Sequence, residues 1–301
     1  MLSGTCMFFL ALLPIFTASV PTTNNFTSLR ERSYYVNPNN NDPNAAFKVW
    51  PTDEVVWCFT GAEDNDFKTL MGNAWNLWVD AIGGLVESSL EVDYGGLCAN
   101  DYTKTKLQVT LTNTKSARTS VGYQGVGQQT MSFDPAPGWG TGDPTANLAH
   151  ELGHAFGMRH EHQRTLAWRG DPNNGQPNPL IKFHCQNLAD YDEKKKEGED
   201  MNLICTNQFA ASQAKFSAQD LLEIPVLAPP PGSPLKLPFY ESSDFDWQSI
   251  MIYSSFSGAK KVGGTYQRVI EKWDATLMEP VKKPSGADAV AIRTMYPPHT
   301  E

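Results

Sequence analysis

Between residues 67 and 82 apolar side chains recur every three or four positions, at Phe67, Leu70, Met71, Ala74, Leu77, Trp78, Ala81 and Ile82. This is the spacing of one helical face, so the pattern predicts an amphipathic helix packed on a sheet and stopped by Gly83 and Gly84. Leu107, Val109 and Leu111 alternate with Gln108, Thr110 and Thr112, the period of a half-buried strand. Residues 55–59 read as a buried strand, and a second β stretch is expected over 119–133. Asp143 followed by Pro144 is a helix start, and Leu148, Leu152, Ala155 and Phe156 carry that helix onward. Ser285 with Asp288 has the spacing of a capping box, ahead of a final helix through Ala289, Ile292, Met295 and Tyr296. From Arg169 to Asp246 no period persists, which predicts a long loop or insertion, with the Lys/Glu run at 193–199 as a solvated face.

The ends read differently. Residues 7–16 are wholly apolar and are followed by the small residues Thr17, Ala18 and Ser19. Such a run is too short to span a bilayer and fits a signal peptide over 1–19. Residues 20–46 are rich in Asn, Thr, Ser and Pro and carry a glycosylation sequon at Asn25, as expected of an unstructured pro-segment or linker. The folded domain is then 47–301. No later run approaches the length of a membrane span, and no hydrophobic tail follows Tyr296, so a secreted chain without a membrane anchor is expected.

Export makes disulfides permissible, and removal of the signal peptide with Cys6 leaves Cys58, Cys98, Cys185 and Cys205. Three pairings are possible. Cys58 with Cys98 and Cys185 with Cys205 are favoured because each closes a local loop. The content of 40% hydrophobic and 19% charged residues suits a soluble globular protein, and a net charge of -9 has the wrong sign for a partner with a phosphate backbone. Nucleic acid is therefore excluded as a partner, and the oligomeric state is left open.

The chemistry concentrates in HELGHAFGMRHEHQR, residues 150–164. His150 and His154 are four apart on the expected helix, so their side chains lie about 40° apart on one face, one turn removed, and can reach one ion. Gly157 can leave the helix in a left-handed conformation and swing His160 back towards them. Three neutral imidazoles with an open fourth position are the composition of a catalytic zinc site, with one Zn2+ per chain. Glu151 is not needed as a ligand, so its carboxylate is free to take a proton from a water acidified by the metal. His162 and His184 stand outside this pattern and are expected to be surface or hydrogen-bonded residues.

HExxHxxGxxH resembles the metzincin zinc signature, and Glu161 with Arg164 after the third His resembles its astacin branch. Ser249, Ile250, Met251, Ile252 and Tyr253 are similar to the SxMxY turn of astacins. Weaker likeness runs from Trp50 and Pro51 through residues 120–133 to 291–297. The resemblance implies an α+β zincin fold. Its N-terminal subdomain, 47–157, would hold a twisted, mostly antiparallel or mixed sheet and two long helices. A loop-rich C-terminal subdomain, 158–301, would follow, with zinc in the cleft between them. It implies ligation by His150, His154 and His160, Glu151 as general base, Met251 as an apolar floor, and Tyr253 as a swinging fifth ligand that donates to the developing oxyanion. It implies that the strand around 128–132 is the edge that aligns an extended substrate. It also implies that Glu161 meets the amino terminus exposed by pro-segment removal, a local salt bridge to Arg164 or Arg159 being the other reading. The activity implied is zinc-dependent endopeptidase action on polypeptides. The competing readings are a zinc hydrolase of non-peptide esters or amides and a non-catalytic secreted binding module on the same scaffold.

Overall fold

The computed structural model describes residues 33–39, 45–101, 103–170, 178–224, 239–242 and 244–299. The expected signal peptide and the sequon at Asn25 lie outside the described residues. Within them, no helix is long and apolar enough to cross a membrane.

The chain opens with strand β1 (Tyr34–Val36) and β2 (Glu54–Phe59), then helix α1 (Asn65–Ile82) and strands β3 (Glu91–Leu97), β4 (Leu107–Leu111), β5 (Ala117–Thr119) and β6 (Thr130–Phe133). Helix α2 (Pro144–Phe156) closes this half. The five-stranded sheet has the order β3-β2-β4-β6-β5. It is mixed, but three of its four pairings are parallel and only β5 with β6 is antiparallel. The cause is connectivity, because parallel neighbours need a long crossover, and α1 supplies one between β2 and β3. The β stretch expected over 119–133 is divided, since β5 ends at Thr119 and β6 starts at Thr130.

Helix α1 begins where Asp64 accepts from the Phe67 N–H at 2.9 Å and ends at Gly83, φ 92°, as its apolar period predicts. It buries Phe67, Met71, Ala74, Trp78 and Ile82, and Trp78 Nε1 donates to the Ala149 carbonyl of α2 at 2.9 Å. Two further donors reach the last turn of α2, whose carbonyls lack helical partners. Trp50 Nε1 bonds Ala155 O at 2.8 Å and the Tyr296 hydroxyl bonds Phe156 O at 2.6 Å. The helix is thereby fixed along its length on the side away from its histidines.

The second half contains α3 (Thr165–Arg169), β7 (Ile181–Phe183), α4 (Tyr191–Lys196), α5 (Met201–Ile204), α6 (Gln208–Gln213), β8 (Phe239–Glu241), β9 (Lys261–Val262), β10 (Thr265–Tyr266), β11 (Ile270–Lys272) and α7 (Gly286–Met295). Of the two readings of 169–246, a long loop or an insertion, the loop is corrected here for residues 178–224. Residues 178–224 fold around a core of their own, in which Ile181, Leu188, Ile204, Ala211, Phe216, Leu221 and Leu222 pack with Ile252, Val269 and Ile270. The Cys185–Cys205 bridge closes this module, and Cys58–Cys98 ties β2 to the end of β3, the two pairings favoured from the sequence. The run at 193–199 does lie on an exposed face.

The expectation that 20–46 is unstructured is also corrected for its described part. Tyr34, Tyr35 and Val36 are buried in the main core, with Val36 at 0% exposure. Strand β1 pairs antiparallel with β8. It also grips the turn after α2, with Val36 N–H on Gly157 O at 2.9 Å and Arg159 N–H on Tyr34 O at 2.8 Å. Nor does packing divide at 157, since α7 lies on α1 and shares the main core with β1, Ile250 and Met251. If β1 is part of the folding unit, Tyr34→Ala should lower unfolding free energy by about 3–5 kcal/mol, as for other buried aromatics. A urea titration showing a loss well under 1 kcal/mol, the scale of surface substitutions, would remove β1 from the fold.

Candidate metal centre

Helix α2 starts from Asp143, whose carboxylate accepts from Thr145 N–H at 2.9 Å, with Pro144 in the first turn. It ends at Gly157, φ 119°, a backbone conformation that strains any residue with a Cβ. The turn sends His160 back over the helix, and the ligand atoms of His150, His154 and His160 lie within 4.8 Å of one another. The spacing of the motif is thus realised as one cluster.

The tautomer of each ring follows from what its Nδ1 faces. His150 Nδ1 is 2.7 Å from Ile250 O and His154 Nδ1 is 2.9 Å from Met158 O, and a carbonyl can only accept. His160 Nδ1 is 2.9 Å from Gln163 Oε1. That amide cannot be reversed, because its nitrogen donates to Gln219 O and Leu222 O, both at 3.1 Å. All three rings therefore carry their proton on Nδ1, and each Nε2 is a bare lone pair. Those lone pairs face one another, at 3.1 Å for His150 with His160 and 3.0 Å for His154 with His160. Burial holds the rings unprotonated, with His150 pushed down to about 4 and His154 to about 3. In His160 burial and then the neighbouring imidazole of His154 push in the same direction. Three neutral nitrogen donors converging without a proton between them repel unless a cation sits among them, and the donor set fits zinc.

Glu151 follows the first of these histidines. Burial raises its carboxyl to about 7, eased by the nearby Thr119 hydroxyl of β5. Its Oε2 has no hydrogen-bond partner among the described residues, and neither does Thr119 Oγ1. An unpartnered buried carboxylate oxygen is costly for folding, and it stands next to the three converging imidazoles. Tyr253 packs its ring 4.5 Å from that of His160, and burial, then Asp220 and Glu151, push its phenol upward, so it stays protonated.

The turn at 249–253 lies under α2. Met251 is fully buried, and a Cβ on Gly153 would run into its Sδ and press on Trp78, so the absence of a side chain lets helix and turn approach closely. Asp288 of α7 holds that turn, accepting from Ser249 Oγ at 2.7 Å and Ile250 N–H at 2.8 Å, while closing the capping box with Ser285. Sequence reading found the box and missed this second use. The signal was an acid that had to be buried to cap a helix ending in the core.

His162 is hydrogen-bonded, as expected, and cannot be a ligand. Tyr253 N–H donates to its Nδ1 at 3.2 Å and its Nε2–H donates to Asp220 O at 3.0 Å, which uses both nitrogens. His184 pairs with Glu271 at 3.1 Å, apart from the cluster. Glu161 meets Arg164 in a fully buried ion pair, and its Oε1 also accepts from Asp246 N–H at 2.9 Å. The local salt bridge is thus the arrangement found. The strand around 128–132 is interior rather than an edge. β6 lies between β4 and β5, and β5 is the edge, with no described strand on its outer side.

No family model and no curated protein matches this chain. Among solved structures it is similar to high choriolytic enzyme 1, a hatching enzyme zinc-protease from Oryzias latipes (Medaka fish). The TM-score is 0.47 and the identity 15% over 84% of this chain and 94% of that one. It is also similar to myroilysin, with TM-scores of 0.47 and 0.44 in two structures. The identities are 18% and 19%, over 84% and 90% of this chain and 97% and 92% of those.

Proton competition gives a test of the site's electrostatics. Depressed imidazoles leave little proton for the metal to displace, so zinc affinity should change little between about pH 7 and pH 5, whereas ligands titrating near 6.5 would weaken it by up to about tenfold per ring per pH unit below that value. Affinity measured by chelator competition across that range checks this, and the steep fall would show that the rings are not held neutral by burial.

Proposed function

We propose that this chain is a secreted zinc-dependent endopeptidase. The observation that carries the reading is the set of three bare imidazole nitrogens beside the unpartnered Glu151 oxygen. His150, His154 and His160 would hold the ion, and zinc in such a site acts as a Lewis acid that acidifies water and polarises a carbonyl. Glu151 then takes the proton of the attacking water on Oε2 and returns it to the leaving amine, a role suited to a carboxyl near 7. Tyr253, kept protonated, donates from its hydroxyl to the carbonyl oxygen as negative charge develops there.

The free edge of β5 favours an extended peptide over a small ester or amide as substrate. Ala117 and Thr119, which alternate with the β6-bonded Arg118, offer backbone groups on the side away from β6, and Thr119 adjoins Glu151. The two disulfides support an oxidising, extracellular setting. The cleft would lie between residues 47–157 and the part of 158–301 that packs around the second core, while β1 and α7 belong to the main core with the first. No lost ligand or base favours a non-catalytic module.

Hydrolysis of casein, abolished by a chelator and restored by zinc, is the expected result, and chelator-resistant hydrolysis or none at all would end the proposal. Glu151→Gln should keep one zinc per chain and lose about 10² to 10⁴-fold in kcat, the usual worth of general-base help. Near-normal turnover in that variant would take Glu151 out of the mechanism. Tyr253→Phe should lower kcat by about 10² to 10³-fold with little change in KM, since an oxyanion donor acts only where charge develops. Normal kcat in that variant would make the tyrosine structural.

A further inference from the structure

The three Nδ1 acceptors come from different places. Ile250 and Met158 belong to the main core, together with β1, α2 and α7. Gln163 instead faces the module at 178–224. It is 4% exposed, and every polar group it has is engaged. Oε1 accepts from His160, Nε2 donates to Gln219 O and Leu222 O, and its backbone carbonyl accepts Ile224 N–H at 3.0 Å. The preceding residue makes a parallel attachment, with His162 Nε2–H on Asp220 O and the His162 carbonyl on Trp168 Nε1 at 2.9 Å. The segment 219–224 therefore closes on residues 162–163 from the module side, where Ala218, Leu221 and Leu222 anchor it in the second core.

We propose that Gln163 is a positioning residue for the metal, orienting His160 through Oε1, while the Gln219 and Leu222 carbonyls of the 178–224 module fix which end of its amide faces the ring. The inference rests on the zinc reading above. An amide turned by 180° would offer N–H to His160 Nδ1 and reverse the ring's tautomer, placing a proton on the nitrogen that must face the ion. Only acceptor-only partners on the amide nitrogen prevent this, and both belong to the module. The main core orients two ligands, and the module orients the third.

Two variants of the full chain separate this role from a structural one. Gln163→Glu keeps an acceptor for His160 and gives up both donors, and Gln163→Met gives up acceptor and donors at similar length. Both should lower the thermal midpoint of the chelator-treated protein. Zinc affinity, measured by competition with a chromogenic chelator, should fall about 10- to 100-fold in Gln163→Met, the usual cost of losing a partner behind a ligand, and stay close to wild type in Gln163→Glu. Equal affinities in the two variants would overturn the inference. If Gln163→Met does not fold, the histidine ring nitrogens of the chelator-treated wild type decide by NMR: a His160 held as the Nδ1-protonated tautomer without metal upholds the inference, and a mixed or Nε2-protonated ring overturns it. A wild-type chain that binds no zinc would defeat the zinc reading itself, a result distinct from either variant's.

Discussion

Each of His150, His154 and His160 gives its Nδ1–H to an oxygen that can only accept, and this constraint leaves three converging lone pairs, with that of His160 3.1 Å from His150 and 3.0 Å from His154. Much of the surrounding structure serves to hold those three oxygens still. Ile250 O is held by the turn that Asp288 pins from α7. Met158 O follows Gly157, whose carbonyl is tied to β1. Gln163 Oε1 is held by the second core. A helix at one end of the chain, a strand at the other and a disulfide-closed module between them thus converge on one triad of rings. Imidazoles oriented this way need no reorganisation to bind an ion, so affinity is not spent on ordering them.

The same arrangement is unfavourable by itself. Four neutral histidines, Glu151 with a bare oxygen and the acids Glu161 and Asp288 all sit in low dielectric, where an incompletely partnered group costs several kcal/mol. Asp288, raised to about 7 by burial and then by Asp246, shows how near the limit the network lies. A bound cation offsets part of this by supplying the partner that the lone pairs lack, and anything that binds only the folded state stabilises it. Metal and fold are therefore linked through the ligands' own desolvation.

How far this was legible in the sequence depended on the length of each signal. The i, i+4 histidines, the Asp143-Pro144 start and Gly157 specified the cluster locally, and α1, an eighteen-residue helix, declared itself by the apolar period from Phe67 to Ile82. β1 could not be read, because three residues, Tyr-Tyr-Val, beside an Asn-rich tract carry no period and are strand only by virtue of β8, some 200 residues away in the chain. The module at 178–224 failed for a related reason. Its helices run four to six residues, below the length at which a 3.6-residue period is resolved, and its core forms between elements rather than along them. Gln163 and Asp288 were visible as residue types, but their use depends on acceptors and donors that only tertiary contact supplies.

Glu161 shows the difference between a motif and its environment. A carboxylate fully buried next to His160 needs a positive partner, and the resemblance suggested a freed amino terminus. Here Arg164 takes that place, with its side chain at 0% exposure. Its guanidinium also donates to the Asp244 carbonyl at 2.7 Å and to the Ser242 carbonyl, just beyond the strand that pairs with β1. Ser33, at the start of that pairing, exchanges bonds with Ser242 and donates to Ala287 O of α7 at 3.0 Å. The ion pair beside His160 and the buried strand are thus parts of one network. A carboxylate that already has its counter-charge from within the chain does not require a new terminus to neutralise it.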